Sequence, residues 1–267
     1  MLKHLQLVKP PTPKLQDTLI YVLICLLTGI SAMPVSILRK RRLRQSASIV
    51  FTSLMPKDLL IEFKGVRFIA RKGKADILLL NQFSSPWMWD YFTPKDGDVV
   101  VDIGAHVGKY ALIAAKRVGK EGKVVAIEAH PENFKALLNN IRLNDFQNVI
   151  ALNTAAFSEE GKTLRLFGQW DTAYSLKSWD ATSTRVETRT TDSILKQYGI
   201  RNADWVKIDV EGAETDVLVG MKKTIENSPN LKILVEVDGS NEHEVDRILS
   251  GFGKKCIRRP DIFYWKD

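Results

Sequence analysis

Cysteine is scarce. Only Cys25 and Cys256 occur in 267 residues, without metal-ligand spacing, so a disulfide scaffold and a cysteine-built zinc site are excluded and a reducing compartment is the default. Ten prolines and sixteen glycines are too few for a collagenous chain, and no internal repeat or low-complexity tract is present, which excludes a disordered chain. What is present, 45% hydrophobic and 26% charged residues, is the ordinary composition of a globular enzyme. The length suits one large α/β domain plus an appendage, with a full core that needs neither disulfide nor metal.

A broad positive face is also lacking. The net charge is +8, yet residues 1–45 carry eight basic side chains (Lys3, Lys9, Lys14, Arg39, Lys40, Arg41, Arg42 and Arg44) against one acid, Asp17. The body is therefore close to neutral, which argues against nucleic acid as a partner.

The N-terminal arm contains an uncharged run, TLIYVLICLLTGISAMPVSIL, over residues 18–38. As a helix it spans roughly 30 Å, about one hydrocarbon core. Asp17-Thr18 offers an N-cap, and RKRRLR at 39–44 follows directly, a basic flank denser than Lys3, Lys9 and Lys14. The expectation is a transmembrane helix with a cytoplasmic C-terminal domain. Gly29 and Pro34 weaken a continuous helix, so a hairpin-like or interfacial anchor and a helix packed on the chain's own catalytic domain, the protein then being cytoplasmic, are the alternatives. A cleaved signal peptide fits poorly, because the basic cluster follows the apolar run.

Residues 58–73 alternate around Lys64-Gly65 and predict a hairpin whose buried face holds Ile61, Phe63, Val66, Phe68 and Arg67. An aromatic lead-in with Trp87, Trp89, Tyr91 and Phe92 reads as packing beneath the next strand. From Asp98 strands and helices alternate: strands at 99–103, 123–128, 148–153, 204–210 and 231–237, with helices at 107–118, 131–145, 191–198, 213–227 and 241–250. Residues 162–167 and 182–190 read as strands that break this rhythm, and the loop between them, with Trp170, Tyr174 and Trp179, is a candidate lid. Two short strands close the chain. Repeated strand–helix–strand units predict an α/β, Rossmann-like, mostly parallel sheet with helices on both faces, binding ligand beyond the carboxyl ends of its strands.

At the end of the first strand of this series stands Asp102-Ile103-Gly104-Ala105-His106-Val107-Gly108. The bend is expected to bring backbone amides to a ligand, with Gly104 clearing the approach and Gly108 allowing close packing. The spacing lacks the central glycine of a dinucleotide site, which argues against an NAD-dependent oxidoreductase. Glu128, ending the next strand, is placed to accept both ribose hydroxyl hydrogens. Gly104, Gly108 and Glu128 are therefore candidate cofactor-binding residues, with Ala105 and His106 in the same bend. The aspartate, glycines and distal acid resemble the pattern of class I S-adenosylmethionine-dependent methyltransferases, and that resemblance implies Asp102 as a cofactor-binding residue too.

The segments VVVDIGAHVGKYAL, AIEAHPENFKALLNNIRLN, AAFSEEGK and DWVKIDVEGAETDVLVGM, followed by ILVEV, resemble the FkbM family of methyltransferases over residues 58–238. K-I-D-V-E-G-A-E is the most specific of these motifs. His106 stands where asparagine is commoner and Ala129 where proline is. The resemblance implies a seven-stranded Rossmann-like fold, S-adenosylmethionine as cofactor, and methyl transfer to a hydroxyl oxygen. Residues 1–57 lie outside the secure match, and the chain reads as three parts: an arm over 1–48, a hairpin and aromatic lead-in over 49–97, and a methyltransferase domain over 98–267.

The family's motif residues here are Lys207, Asp209, Glu211 and Glu214. Removing a hydroxyl proton during methyl displacement requires a base aligned with the acceptor. Asp209 and Glu211 are the candidate carboxylates. Lys207, on the same strand face as Asp209, either keeps one of them ionised or is itself tuned as a base. Glu214 has an alternative reading as a helix-opening acid. No metal is expected, although Asp209, Glu211 and Glu236 or Asp238 form the one set that could hold one. The expected function is an O-methyltransferase acting on a small molecule, sugar or lipid head group near a membrane. A nucleic-acid or protein methyltransferase and a non-catalytic binding module are the alternatives. An amino-methylating turn of the Asn/Asp-Pro-Pro-aromatic type is absent, since the chain reads Asp209-Val210-Glu211-Gly212.

Overall fold

The computed structural model describes residues 53, 57–74, 76, 80, 88–167, 183–237, 241–259 and 262–266. The apolar run 18–38, Trp87, Asp238 and the expected lid with Trp170, Tyr174 and Trp179 lie outside the described residues. Among the described residues no helix is long and apolar enough to cross a membrane.

Two strands, β1 (Leu59–Phe63) and β2 (Val66–Ala70), pair antiparallel around Lys64-Gly65, both in the left-handed region. Leu59, Ile61, Phe63, Val66, Phe68 and Ala70 are buried. Arg67 was expected among them but pairs with Glu62 across the hairpin, one residue out of phase with the buried positions. Period-two alternation therefore turns it to the other face. A short helix, α1 (Met88–Tyr91), follows.

Among the described residues the main sheet has seven strands in the order β11-β12-β10-β9-β3-β4-β5. Its members are β3 (Val99–Ile103), β4 (Lys123–Ile127), β5 (Val149–Leu152), β9 (Trp205–Ile208), β10 (Lys232–Glu236), β11 (Lys255–Arg259) and β12 (Ile262–Lys266). The pairs β5–β4, β4–β3, β3–β9 and β9–β10 are parallel, and β12 inserts antiparallel between β10 and β11. A smaller sheet, in the order β6-β8-β7, comes from β6 (Ala155–Ala156), β7 (Thr163–Phe167) and β8 (Ser183–Arg189).

Strand parity divides the core. Val100, Val124, Ala126 and Leu234 join the hairpin, α2 (Lys109–Val118) and α3 (Pro131–Leu143) in one apolar cluster. Val101, Val125, Val206 and Val235 join the other cluster with α4 (Thr191–Gln197), α5 (Glu214–Val219), α6 (Lys222–Asn227) and α7 (Glu242–Gly251). Both faces are thus covered, as a parallel sheet requires. Trp89 and Phe92 pack edge-on to each other, and Phe92 meets Tyr110 and Trp205 in the first cluster, so the described residues of the aromatic lead-in, Trp89, Tyr91 and Phe92, pack in or against the core.

Two helices differ from expectation. The expected helix at 107–118 begins at Lys109, because Gly108 is left-handed (φ 96°) and cannot continue it. The helix expected over 213–227 is two, α5 and α6, broken at Gly220-Met221. A Cβ at Gly220 would stand 2.0 Å from the carbonyl oxygen of Phe157, so the chain passes too close there for a side chain.

Candidate functional site

A cleft of about 730 Å³, counting its open mouth, lies at the carboxyl ends of β3, β4 and β9. Ile103, Ile127 and Val210 form apolar walls at the strand ends, Glu128 and Asn133 bring polar groups, and Thr154, Ala156 and Leu166 come from the segment after β5 and the small sheet. Gly104, His106, Asp209 and Glu211 complete the side facing the two motifs.

The glycine bend is built differently from the expectation. The amides of Gly104 and Ala105 both donate to the carbonyl of Ile127, at 2.9 and 3.0 Å, and the amide of Gly108 donates to Ala105 at 2.8 Å. That of His106 donates to Glu128 Oε2 at 2.7 Å. These amides bind the protein itself, so the expected amide cradle for a ligand is corrected: the hydrogens hold the bend against β4. Gly104 is also required by the protein rather than by a ligand. At φ 79° a Cβ would lie 1.9 Å from the carbonyl oxygen of Asp209. Gly108 stands where a Cβ would press on Leu112 and Leu137, fixing how closely α3 meets α2.

Glu128 is buried and lines the cleft. Its two oxygens accept from His106 N and from His130 N, the latter at 2.8 Å, so it joins the loop after β3 to the loop after β4. Burial raises its pKa, opposed by His106 and the two amide bonds. Each oxygen keeps a second lone pair for a ligand hydroxyl.

Behind the wall stands a row of charges. Asp102 is fully buried; its Oδ2 accepts from the amide of Ala111 at 2.8 Å and its Oδ1 lies 3.8 Å from Lys207 Nζ. Burial pushes Asp102 up to about 6, with Lys207 and the Ala111 amide holding it down. Lys207 Nζ reaches Asp209 Oδ2 at 3.1 Å and stands 4.9 Å from the Tyr110 ring centre. Burial pulls Lys207 down, but Asp209, Asp102 and Glu236 together outweigh it and hold it above its ordinary value. Lys207 is thus a buried cation set between the carboxylates of Asp102 and Asp209. Asp209, with a side chain 29% exposed, is the member of this row that reaches the cleft.

The Asp209–Glu214 loop is tightly folded. Glu211 has φ 52° and Gly212 φ 106°, so the chain reverses here in a conformation costly for a glutamate. Fully buried Glu214 stabilises this reversal, accepting from the Gly212 amide at 2.8 Å and from Asn241 Nδ2 at 3.1 Å. It opens α5 and has the structural role that was its alternative reading. Glu211 lines the cleft. Among the described residues no three His, Cys, Asp or Glu side chains group as metal ligands.

Of the nine expected site residues, Gly104, His106, Glu128, Asp209 and Glu211 line the cleft. Asp102, Ala105, Gly108 and Lys207 stand behind its wall and shape it. Sequence reasoning missed Asn133, Thr154 and Leu166. Asn133, two residues after the helix-opening Pro131, carried a signal in its position beside the bend; the other two come from the region that breaks the strand–helix rhythm.

The sequence pattern of the methyltransferase FkbM domain matches residues 102–256. The methyltransferase sdnD of Sordaria araneosa is 27% identical over 157 residues, covering 46% of this chain and 60% of that protein. The hexuronic acid methyltransferase AglP of Haloferax volcanii is 26% identical over 156 residues, covering 58% and 63%. The chain thus spans less than two thirds of each of these relatives. Among solved structures, an S-adenosylmethionine-dependent methyltransferase of Aquifex aeolicus is 18% identical with a TM-score of 0.41, covering 68% of this chain and 88% of that one. Aeropyrum pernix fibrillarin with bound S-adenosylmethionine is 14% identical with a TM-score of 0.43, covering 64% and 67%. With its motifs at the mouth of one cleft and the family pattern over more than half its length, this chain belongs to the FkbM methyltransferase family, whose cofactor is S-adenosylmethionine.

Proposed function

We propose that the protein transfers a methyl group from S-adenosylmethionine to a hydroxyl oxygen of a small molecule, sugar or lipid head group. The observation that carries this is Asp209: a carboxylate at the cleft, ion-paired from behind by a buried lysine, is the form of base that an alcohol requires. The cleft suits the cofactor, since Glu128 offers lone pairs to ribose hydroxyls between apolar walls at the strand ends.

When bound, the cofactor supplies a sulfonium methyl carbon open to in-line attack. Glu128 and His106 hold the nucleoside end. Asp209 accepts the hydroxyl proton on Oδ1 or Oδ2, while Lys207, Asp102 and the Ala111 amide fix its position. Glu211, at the cleft in a strained conformation, orients the acceptor from the other side of the motif loop. Ala105, Gly108 and Asp102 act by holding the bend. A relative named for hexuronic acid methylation supports a sugar acceptor. The basic cluster 39–44 beside the apolar run supports an acceptor at a membrane surface, and carbonate extraction of cell membranes tests that location.

Comparing glycolipid and small-molecule extracts from cells with and without the protein tests the reaction. A species lighter by one CH₂ in the deleted cells, restored by the wild-type chain and not by Asp209→Asn, is the expected result. Restoration by Asp209→Asn contradicts the role of this carboxylate.

A further inference from the structure

Beside the cleft, just after the hairpin and before the start of the family match, is a charge pair that the proposed reaction does not use. Asp76 is fully buried and Arg71 is partly buried, its side chain 16% exposed. The Asp76 carboxylate receives three hydrogen bonds from this one residue: Arg71 N and Nε reach Oδ2 at 2.9 and 2.7 Å, and Nη2 reaches Oδ1 at 2.7 Å. Arg71 then extends to the first turn of α3, its Nη2 donating to Asn133 Oδ1 at 2.9 Å and its Nη1 to the Glu132 carbonyl at 3.3 Å. On the other side, Asp76 Oδ1 lies 4.0 Å from His106 Nε2.

A buried ion pair seldom adds net stability over apolar residues of the same volume, because desolvation cancels most of the attraction. What a forked arginine–carboxylate pair does supply is fixed geometry. Here the fork touches two cleft residues from two different segments. His106 sits in the left-handed region at φ 51°, a conformation that needs outside support. Asn133, 2% exposed on the cleft wall, has its side-chain oxygen held by Arg71. Glu128 lines the same cleft, and its own oxygens bind the amides of His106 and His130.

We propose that Arg71 and Asp76 form a buried clamp that positions His106 and Asn133 on the cleft and thereby sets the affinity for the methyl donor. The clamp rests on the assignment of this cleft to S-adenosylmethionine. Arg71 and Asp76 are positioning residues, with no contact to the cofactor. The segment around the hairpin is therefore part of the cofactor site rather than an appendage to it.

Calorimetric titration of the full chain with S-adenosylmethionine tests this, with folding of each variant checked by far-ultraviolet circular dichroism. Asp76→Asn and Arg71→Met are each expected to weaken binding about tenfold or more. Arg71→Lys keeps the charge and loses the fork, so a loss of several-fold is expected. The double variant Asp76→Asn/His106→Gln is expected to lose less than the sum of the two single losses, because part of the effect of Asp76 passes through the imidazole; a merely structural role would give additive losses. Wild-type affinity in folded Asp76→Asn overturns the clamp. If Asp76→Asn does not fold, wild-type affinity in Arg71→Lys overturns it equally. Absence of binding by the wild-type chain overturns the cofactor assignment and the clamp together.

Discussion

Asp102 and His130 are displaced in opposite directions over the same pH range. Burial raises Asp102 from 3.8 to about 6, so the folded protein holds a proton there that the unfolded chain releases. Its contribution to stability is lost as pH rises from about 4 to 6. Burial lowers His130 from 6.5 to about 4, with Glu132 opposing and Lys74, Arg71 and His106 assisting. Folding therefore excludes a proton from His130 that the unfolded chain binds, and stability is lost as pH falls from 6.5 to about 4. The two slopes oppose each other. His130→Asn is expected to leave a protein whose urea midpoint rises as pH falls through this range, and Asp102→Asn one whose midpoint falls more steeply than wild type. Parallel profiles for the two variants would contradict this assignment of the buried charges. Also at this scale, Lys207→Met should reduce turnover about a hundredfold or more while S-adenosylmethionine affinity stays within a few-fold, because its ammonium pairs with Asp209 at 3.1 Å and reaches the glycine bend only through a long 3.4 Å bond to the Gly104 carbonyl. Single-turnover methyl transfer with the wild type's own acceptor, set beside binding, separates the two effects. The residue types at the site were legible in the sequence because strand ends and acids recur at fixed offsets. The direction of each hydrogen bond was not: the amides at Gly104, Ala105 and His106 turn to Ile127 and Glu128, a choice made by β3 and β4 lying side by side.

Among the elements, the glycines separate two kinds of constraint. At Gly161 the backbone is left-handed (φ 76°) and nothing lies within 4 Å of an added Cβ, so Gly161→Ala is expected to cost about 1 kcal/mol, the conformational term alone. At Gly104 the same backbone term combines with overlap against the Asp209 carbonyl, and Gly104→Ala is expected to cost about 3 kcal/mol or more. It should also displace Asp209 and lower activity in the molecules that still fold. Chemical denaturation of the two variants checks the order, and equal midpoints would contradict the close approach of β3 to the residue after β9. Strand positions were readable because apolar runs such as VVVDI and KVVAI cannot be amphipathic helices. The break between α5 and α6 was not, since Gly220 has helical angles (φ −74°) and its constraint is a distant carbonyl, that of Phe157. Arg67, by contrast, was legible: it stands between Val66 and Phe68, so strict alternation already puts it on the other face, as the pairing Glu62↔Arg67 bears out.

For the molecule as a whole, two segments far apart in sequence converge on one cleft. The parallel strands bring the Asp102–Gly108 bend, Glu128 and the Lys207–Glu214 loop to one edge of the sheet, and this much follows from the order of strands and helices. The pair Arg71–Asp76 reaches the same edge from beyond the start of the family match, and no local pattern announces it, because its partners His106 and Asn133 lie 30 or more residues away. The small sheet adds Leu166 to the wall in the same unannounced way. The common dependence is a nucleoside held at Glu128. Equilibrium binding of radiolabelled S-adenosylmethionine to the purified chain, with NAD as competitor, tests it most directly. Saturable binding that NAD does not displace, weakened at least about tenfold in folded Glu128→Ala, is the predicted result. Unchanged affinity in that variant, or displacement by NAD, would contradict the account.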